Sequence, residues 1–99
     1  MLIEFDPTKD AANIAKHGVS LADAELLNWD WLLCEADTRR DYGELRENGL
    51  APLEGRVYAV VFVQRAEVFR VISLRKANSR EVTRYDQSIQ EFRVRYPDA

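Results

Sequence analysis

The chain is poor in the residues that usually make a small active site easy to recognise. One cysteine and one histidine occur in 99 residues, too few for a typical zinc site, so no metal and no cofactor is expected. Its four glycines form neither a phosphate-cradling loop after a strand nor a Gly-x-Ser-x-Gly elbow. No apolar run approaches the roughly eighteen residues of a membrane span. The start, Met1-Leu2-Ile3-Glu4-Phe5-Asp6, lacks the basic residues and long apolar stretch of a signal peptide. A lone thiol suits a reducing compartment, and a cytoplasmic location is expected. Cys34, inside Trp31-Leu32-Leu33-Cys34 with no basic residue within three positions, reads as core filler rather than nucleophile.

Hydrophobic residues make up 46% of the chain, enough for one compact domain over residues 1–99. The richest stretch is Arg56 to Tyr85, where two apolar runs carry six arginines and a lysine. The net charge is −3, but it is divided unevenly. Residues 1–55 hold 5 basic and 12 acidic side chains, whereas residues 56–99 hold 9 and 5. Such a division is either a pair of solvated faces or two surfaces for different partners.

Leu2 to Phe5 reads as a strand, and Asp6 with Pro7 opens a helix that Gly18 closes. Ala11, Ile14, Ala15 and Gly18 fall on one face, its expected buried side. Ser20 opens a second helix with Asp23 at the capping-box position and Leu21, Ala24 and Leu27 as its stripe. Strands come next at Trp31–Ala36, around Arg46–Leu53, at Val57–Val63 and at Val68–Leu74, the last two as a hairpin. Asn78 caps a final helix with Glu81 in the capping box, and Val82, Tyr85, Ile89, Phe92 and Tyr96 form one continuous apolar face. That face covers the chain's own sheet or accepts part of a partner. The expected class is α+β, an antiparallel sheet packed by two N-terminal helices and one C-terminal helix. A helix-turn-helix around Gly18 is disfavoured by its acidic surroundings.

Several short patterns recur in a definite order: Phe5-Asp6, Lys9, Asn13, Lys16-His17-Gly18-Val19-Ser20 and Ala24. They continue with Gly43-Glu44-Leu45-Arg46, Gly55-Arg56, Val60 to Arg65, Arg70 to Ala77, then Glu81 and Tyr85. This set, spanning about residues 3–85, resembles the BrnT family of type II toxin–antitoxin ribonucleases. Leu74 stands where a small residue is usual, and Phe5-Asp6 lacks an intervening tryptophan. The resemblance implies a RelE-like fold and a metal-independent endoribonuclease acting on RNA. It implies neutralisation by a BrnA-like ribbon-helix-helix antitoxin in a hetero-oligomer, with DNA reached only through that partner. The other role open to such a chain is a catalytically inactive antitoxin-binding subunit in operon autoregulation.

Metal-free RNA cleavage needs a base for the 2′-hydroxyl, cations for the phosphorane and an acid for the departing 5′-oxygen. Arginine's planar fork grips two phosphate oxygens and stays charged. Arg65, Arg75 and Arg46 are the candidate catalytic cations, with Glu44 or His17 for proton transfer; Arg56, Arg70, Lys76 and Tyr85 are candidate RNA contacts. Against each arginine stands a surface ion pair, against Glu81 its capping box, and against His17 a helix-end packing role. Tyr85 also fits core packing, and Trp29 and Trp31 fit core or partner contacts better than base stacking. If the hairpin forms, Arg65 and Arg75 fall at opposite ends of its second strand.

Overall fold

The computed structural model describes residues 1–98. The elements are β1 (Leu2–Glu4), α1 (Pro7–His17), 3₁₀ segments at Leu21–Leu26 and Trp29–Trp31, β2 (Leu33–Ala36), β3 (Glu47–Leu53), β4 (Arg56–Arg65), β5 (Val68–Lys76) and α2 (Ser79–Arg95). The five strands form one sheet in the order β1-β5-β4-β3-β2. β2 to β5 are antiparallel neighbours, but β1 runs parallel to β5 with Leu2 opposite Val68. The sheet is therefore mixed, not antiparallel as the hairpin-rich order suggested.

Local chemistry explains the element ends. The Asp6 carboxylate accepts the Thr8 N–H at 2.7 Å ahead of Pro7, and Gly18 closes α1 at φ 73°. The Ser20 hydroxyl accepts the Ala22 N–H, but the segment it opens is one 3₁₀ stretch, not a second α-helix. Asp10, rather than Asp23, anchors that corner by accepting the Ser20 hydroxyl and the Leu21 N–H at 2.9 and 2.7 Å. Glu54 and Gly55, both at positive φ (50° and 78°), make the tight turn from β3 to β4. The capping box between Asn78 and Glu81 starts α2 as the spacing predicts.

One sheet face carries the main core of Leu21, Ala24, Leu27, Ala51, Val60, Phe62, Val71 and Leu74. Trp29 belongs there, edge-on to Phe62 at 5.2 Å between ring centroids, with its indole N–H on the Ala24 carbonyl at 2.8 Å. α1 does not bury the expected face: Ala11, Ile14 and Ala15 are exposed, and Asn13 is its one buried residue. The Asn13 side chain donates to the carbonyls of Leu74 and Val19, both at 2.8 Å, and accepts the Leu74 N–H at 3.3 Å. Among the described residues no strand pairs with the outer edge of β5 beyond Arg70, so this amide takes the strand's place.

The second face carries a smaller cluster of Leu50, Ala59 and Tyr85, with Leu33, Val57, Ala77 and Ile89 packed on it. Tyr85 is the one buried residue of α2, and its hydroxyl donates to the Trp31 carbonyl at 2.8 Å. Farther along α2, Ile89 is half-buried and Phe92 is exposed. With Trp31, Leu32 and Leu33 they line an apolar groove of about 390 Å³, so the helix face is only partly used by its own sheet. Cys34 is exposed, not core filler; partial burial of the sulfur and then Glu47 push its thiol up, which makes it a poor nucleophile. No helix among the described residues is long and apolar enough to cross a membrane.

Candidate RNA-binding cleft

Two cross-strand rows make the floor of a cleft on the second face. Strand alternation puts Glu35, Asn48, Val61 and Ser73 in one row across β2 to β5, each opposite the next. The adjacent row is Leu33, Leu50, Ala59 and Arg75. Arg46 precedes β3 with the same parity as Asn48 and Leu50, so it extends over this face. A bulge on β5 leaves Ile72 without a partner between Val61–Ser73 and Phe62–Val71. Arg70 and Arg75 differ by an odd number of residues, and a regular strand would send them to opposite faces. The bulge brings both to one side, Arg70 opposite Val63 and Arg75 opposite Ala59.

Three segments wall the cleft, which encloses about 480 Å³. The end of α1 supplies Lys16 and His17, the segment before β3 supplies Arg39 and Arg46, and the first turns of α2 supply Glu81 and Arg84. His17 lies four residues after Asn13, hence on the same helix face one turn on. The clamp of Asn13 on Leu74 thereby fixes His17 beside the strand that carries Arg75. Lys16, Arg39, Arg46, Arg75 and Arg84 face two carboxylates, Glu35 and Glu81. The cleft is thus cationic in a chain whose net charge is −3.

Arg75 forks onto Glu81, with Nη1 at 2.7 Å from Oε1 and Nη2 at 2.9 Å from Oε2. The same carboxylate accepts the Asn78 N–H at 2.9 Å. Arg75 foremost, and then that N–H, hold Glu81 below the usual carboxylate range despite its partial burial. A carboxylate so committed is a weak base, and its role is to aim Arg75 and cap α2. Arg46 differs. Its guanidinium lies over the Tyr42 ring at 4.0 Å from the centroid, and its buried Nε has no hydrogen-bond partner among the described residues.

The remaining candidates lie elsewhere. Arg65 is opposite Val68, six residues along β4 from the Arg75 row, or about 20 Å at strand rise. It pairs with Glu44 through bonds of 3.1 and 2.8 Å, and Arg65 chiefly holds that exposed carboxylate below its usual range. Glu44 does not line the cleft. Arg70 pairs with Glu4 at 3.3 Å. Arg56 is exposed at the start of β4, and Lys76, one residue past Arg75, alternates to the opposite face. Tyr85 is core, and burial foremost pushes its hydroxyl up. Of the predicted site residues, Arg46, Arg75 and His17 therefore share the cleft.

Lys16, Arg39, Arg84, Asn48 and Ser73 line it without having been predicted. For Asn48 and Ser73 a usable signal existed, their parity with Arg46 and Arg75. Arg84, three residues after Glu81, shares its helix face. Arg39 carried no signal, because it reaches the cleft from an irregular segment.

No curated protein gives a match to the sequence. One protein family does: that described as "ribonuclease toxin, BrnT, of type II toxin-antitoxin system" matches residues 5–81, which include α1, all of β2 to β5 and the start of α2. The match takes in every predicted catalytic residue and most of the cleft. The chain belongs to the BrnT family of ribonuclease toxins of type II toxin–antitoxin systems.

Proposed function

We propose that the chain is a metal-independent endoribonuclease of RelE-like fold that holds the scissile phosphate of RNA between Arg75 and Arg46. One observation carries this reading: five cations and one histidine line a single cleft of an acidic protein. Glu81 holds the Nη1–Nη2 edge of Arg75 and so orients the rest of its guanidinium, whose Nε–H it does not engage, and Arg46 presents a guanidinium fixed on Tyr42. Both suit the charge that builds on the non-bridging oxygens of the phosphorane. His17 takes the proton of the 2′-hydroxyl as O2′ attacks phosphorus in line. The bond from phosphorus to the 5′-oxygen breaks, solvent protonates that oxygen, and His17 later releases its proton to water. The products are a 2′,3′-cyclic phosphate and a 5′-hydroxyl end.

Arg65 and Arg70 lie farther along the same face, where they can meet flanking phosphates. The partner is a BrnA-like ribbon-helix-helix antitoxin, and its complex carries the DNA binding and operon repression.

The decisive assay is cleavage of single-stranded RNA by the purified, partner-free chain in EDTA. Cleavage is expected there and is expected to stop on adding the antitoxin. Arg75→Ala and Arg46→Ala should each lower kcat by about 100- to 1000-fold, the range for losing one transition-state donor. His17→Ala should cost at least about 100-fold. Arg65→Ala, which breaks only an exposed pair, should stay within about threefold. Full activity in both Arg46→Ala and Arg75→Ala, with folding intact by circular dichroism, would refute the site.

A further inference from the structure

We infer that Tyr42 and Asp37 are positioning residues that fix the Arg46 guanidinium at the cleft. This rests on the proposed role of Arg46 and adds two residues that neither the family match nor the cleft lining assigns.

The segment between β2 and β3 has no regular structure, yet it is tied to Arg46 at both ends of that residue. The Asp37 N–H donates to the Arg46 carbonyl at 2.7 Å, which fixes the Arg46 backbone. The Tyr42 ring lies against the Arg46 guanidinium at 4.0 Å, which fixes the far end of the side chain. Tyr42 is held in turn, because its hydroxyl donates to the Asp37 carboxylate at 3.3 Å. That carboxylate is wholly buried on its side-chain atoms. It also accepts the Arg39 N–H at 3.2 Å, Nε at 2.9 Å and Nη2 at 2.7 Å.

A fully buried carboxylate in an irregular surface segment needs several donors to persist, and here all of them come from its own segment. The closed set of contacts orders Tyr42 and Arg39 around one anion. Its product is a guanidinium with restricted motion and a buried Nε that has no partner among the described residues. Arginine is rich in rotamers, so a group ordered beforehand loses less entropy on gripping a phosphate. Arg40 is also near Tyr42, with its guanidinium 5.8 Å from the ring centroid, but it does not line the cleft.

The test is a double-mutant cycle between positions 42 and 46 in the full chain. One readout is binding of a fluorescent 2′-O-methyl RNA oligonucleotide, which the chain cannot cleave; the other is kcat on cleavable RNA. Tyr42→Leu should weaken binding about fivefold when Arg46 is present and less than about 1.5-fold in Arg46→Ala, as a stacking contact of modest strength requires. Tyr42→Phe keeps the ring but loses the Asp37 bond, and should recover most of the affinity. Equal losses from Tyr42→Leu in both backgrounds would mean a purely structural tyrosine and would overturn the inference.

A second measurement does not depend on RNA. In NMR spectra the Arg46 Nε–Hε signal should exchange slowly with water in the parent chain and rapidly in Tyr42→Leu and Asp37→Asn. If the parent neither binds nor cleaves RNA, the reading of the cleft fails while this signal still decides the positioning. A fast-exchanging Arg46 Hε in the parent would refute the positioning by itself.

Discussion

At the residue scale, two polar side chains do work that the sequence pattern assigned to others. Asn13 replaces the apolar stripe expected on α1 and serves as a short substitute strand for Leu74. Removing its amide leaves a buried N–H and C=O without partners. Asn13→Ala should therefore destabilise the chain by about 3 kcal/mol, read as a lower urea midpoint at an unchanged slope. It should also lower cleavage more than that loss of folded protein explains, because His17 is one turn beyond the clamp. A change below about 0.5 kcal/mol would show that water replaces the amide freely. The spacing of hydrophobic residues could not reveal this, since a buried asparagine is legible only once its partners, 61 residues apart in sequence, are in place. Tyr42 is the other case, an aromatic in a polar segment whose use becomes visible only where Arg46 lies against it.

At the element scale, the ends of elements were legible and their curvature was not. Asp6, Gly18, Asn78 and Glu81 announce both α-helices, and the structure places each cap where the spacing requires. The bulge at Ile72 has no comparable signature, yet it decides which arginines share a face. The expected second N-terminal helix is a 3₁₀ segment, held at its start by Asp10 from α1. The start of α2 is tied to β5 through Glu81, and this bond has a pH signature. Glu81 is held below its unfolded value, chiefly by Arg75, so its contribution to stability is present above the unfolded carboxylate range near pH 4.3. That contribution is lost as the pH falls through the folded value. Between pH 7 and pH 3 the Tm of the parent should fall more than that of Glu81→Gln, which keeps the cap but does not titrate. Parallel curves would show that the pair adds nothing to stability.

At the scale of the whole molecule, the division of charge along the chain proved a poor guide to the division of charge in space. The cleft takes Lys16, Arg39 and Arg46 from the acidic half and Arg75 and Arg84 from the basic half. Arg65 and Arg75 lie at opposite ends of the β4–β5 hairpin, as its formation requires, so the two do not share one site. Instead the cationic residues spread along one sheet face, and four of them are paired: Arg65 with Glu44, Arg70 with Glu4, Arg75 with Glu81 and Arg39 with Asp37. A single RNA strand on this face should touch the three cleft cations that form no ion pair among the described residues, Lys16, Arg46 and Arg84. Binding should then show a slope of log K against log salt of about −2, at roughly −0.7 per phosphate. A slope near zero in fluorescence titrations would argue that the face does not carry RNA.

Local pattern along the chain was enough to settle the α+β class, both α-helices with their caps, the β4–β5 hairpin and the membership in a ribonuclease family, because these depend on neighbours or on an ordered set of motifs. Only the assembled sheet settled that β1 lies parallel to β5, that Ile72 is passed over in the ladder, and that Arg46 rather than Arg65 lines one cleft with Arg75. Those outcomes depend on which edges pair and how an irregular segment folds back, and no local period encodes contacts made by residues so far apart in the chain.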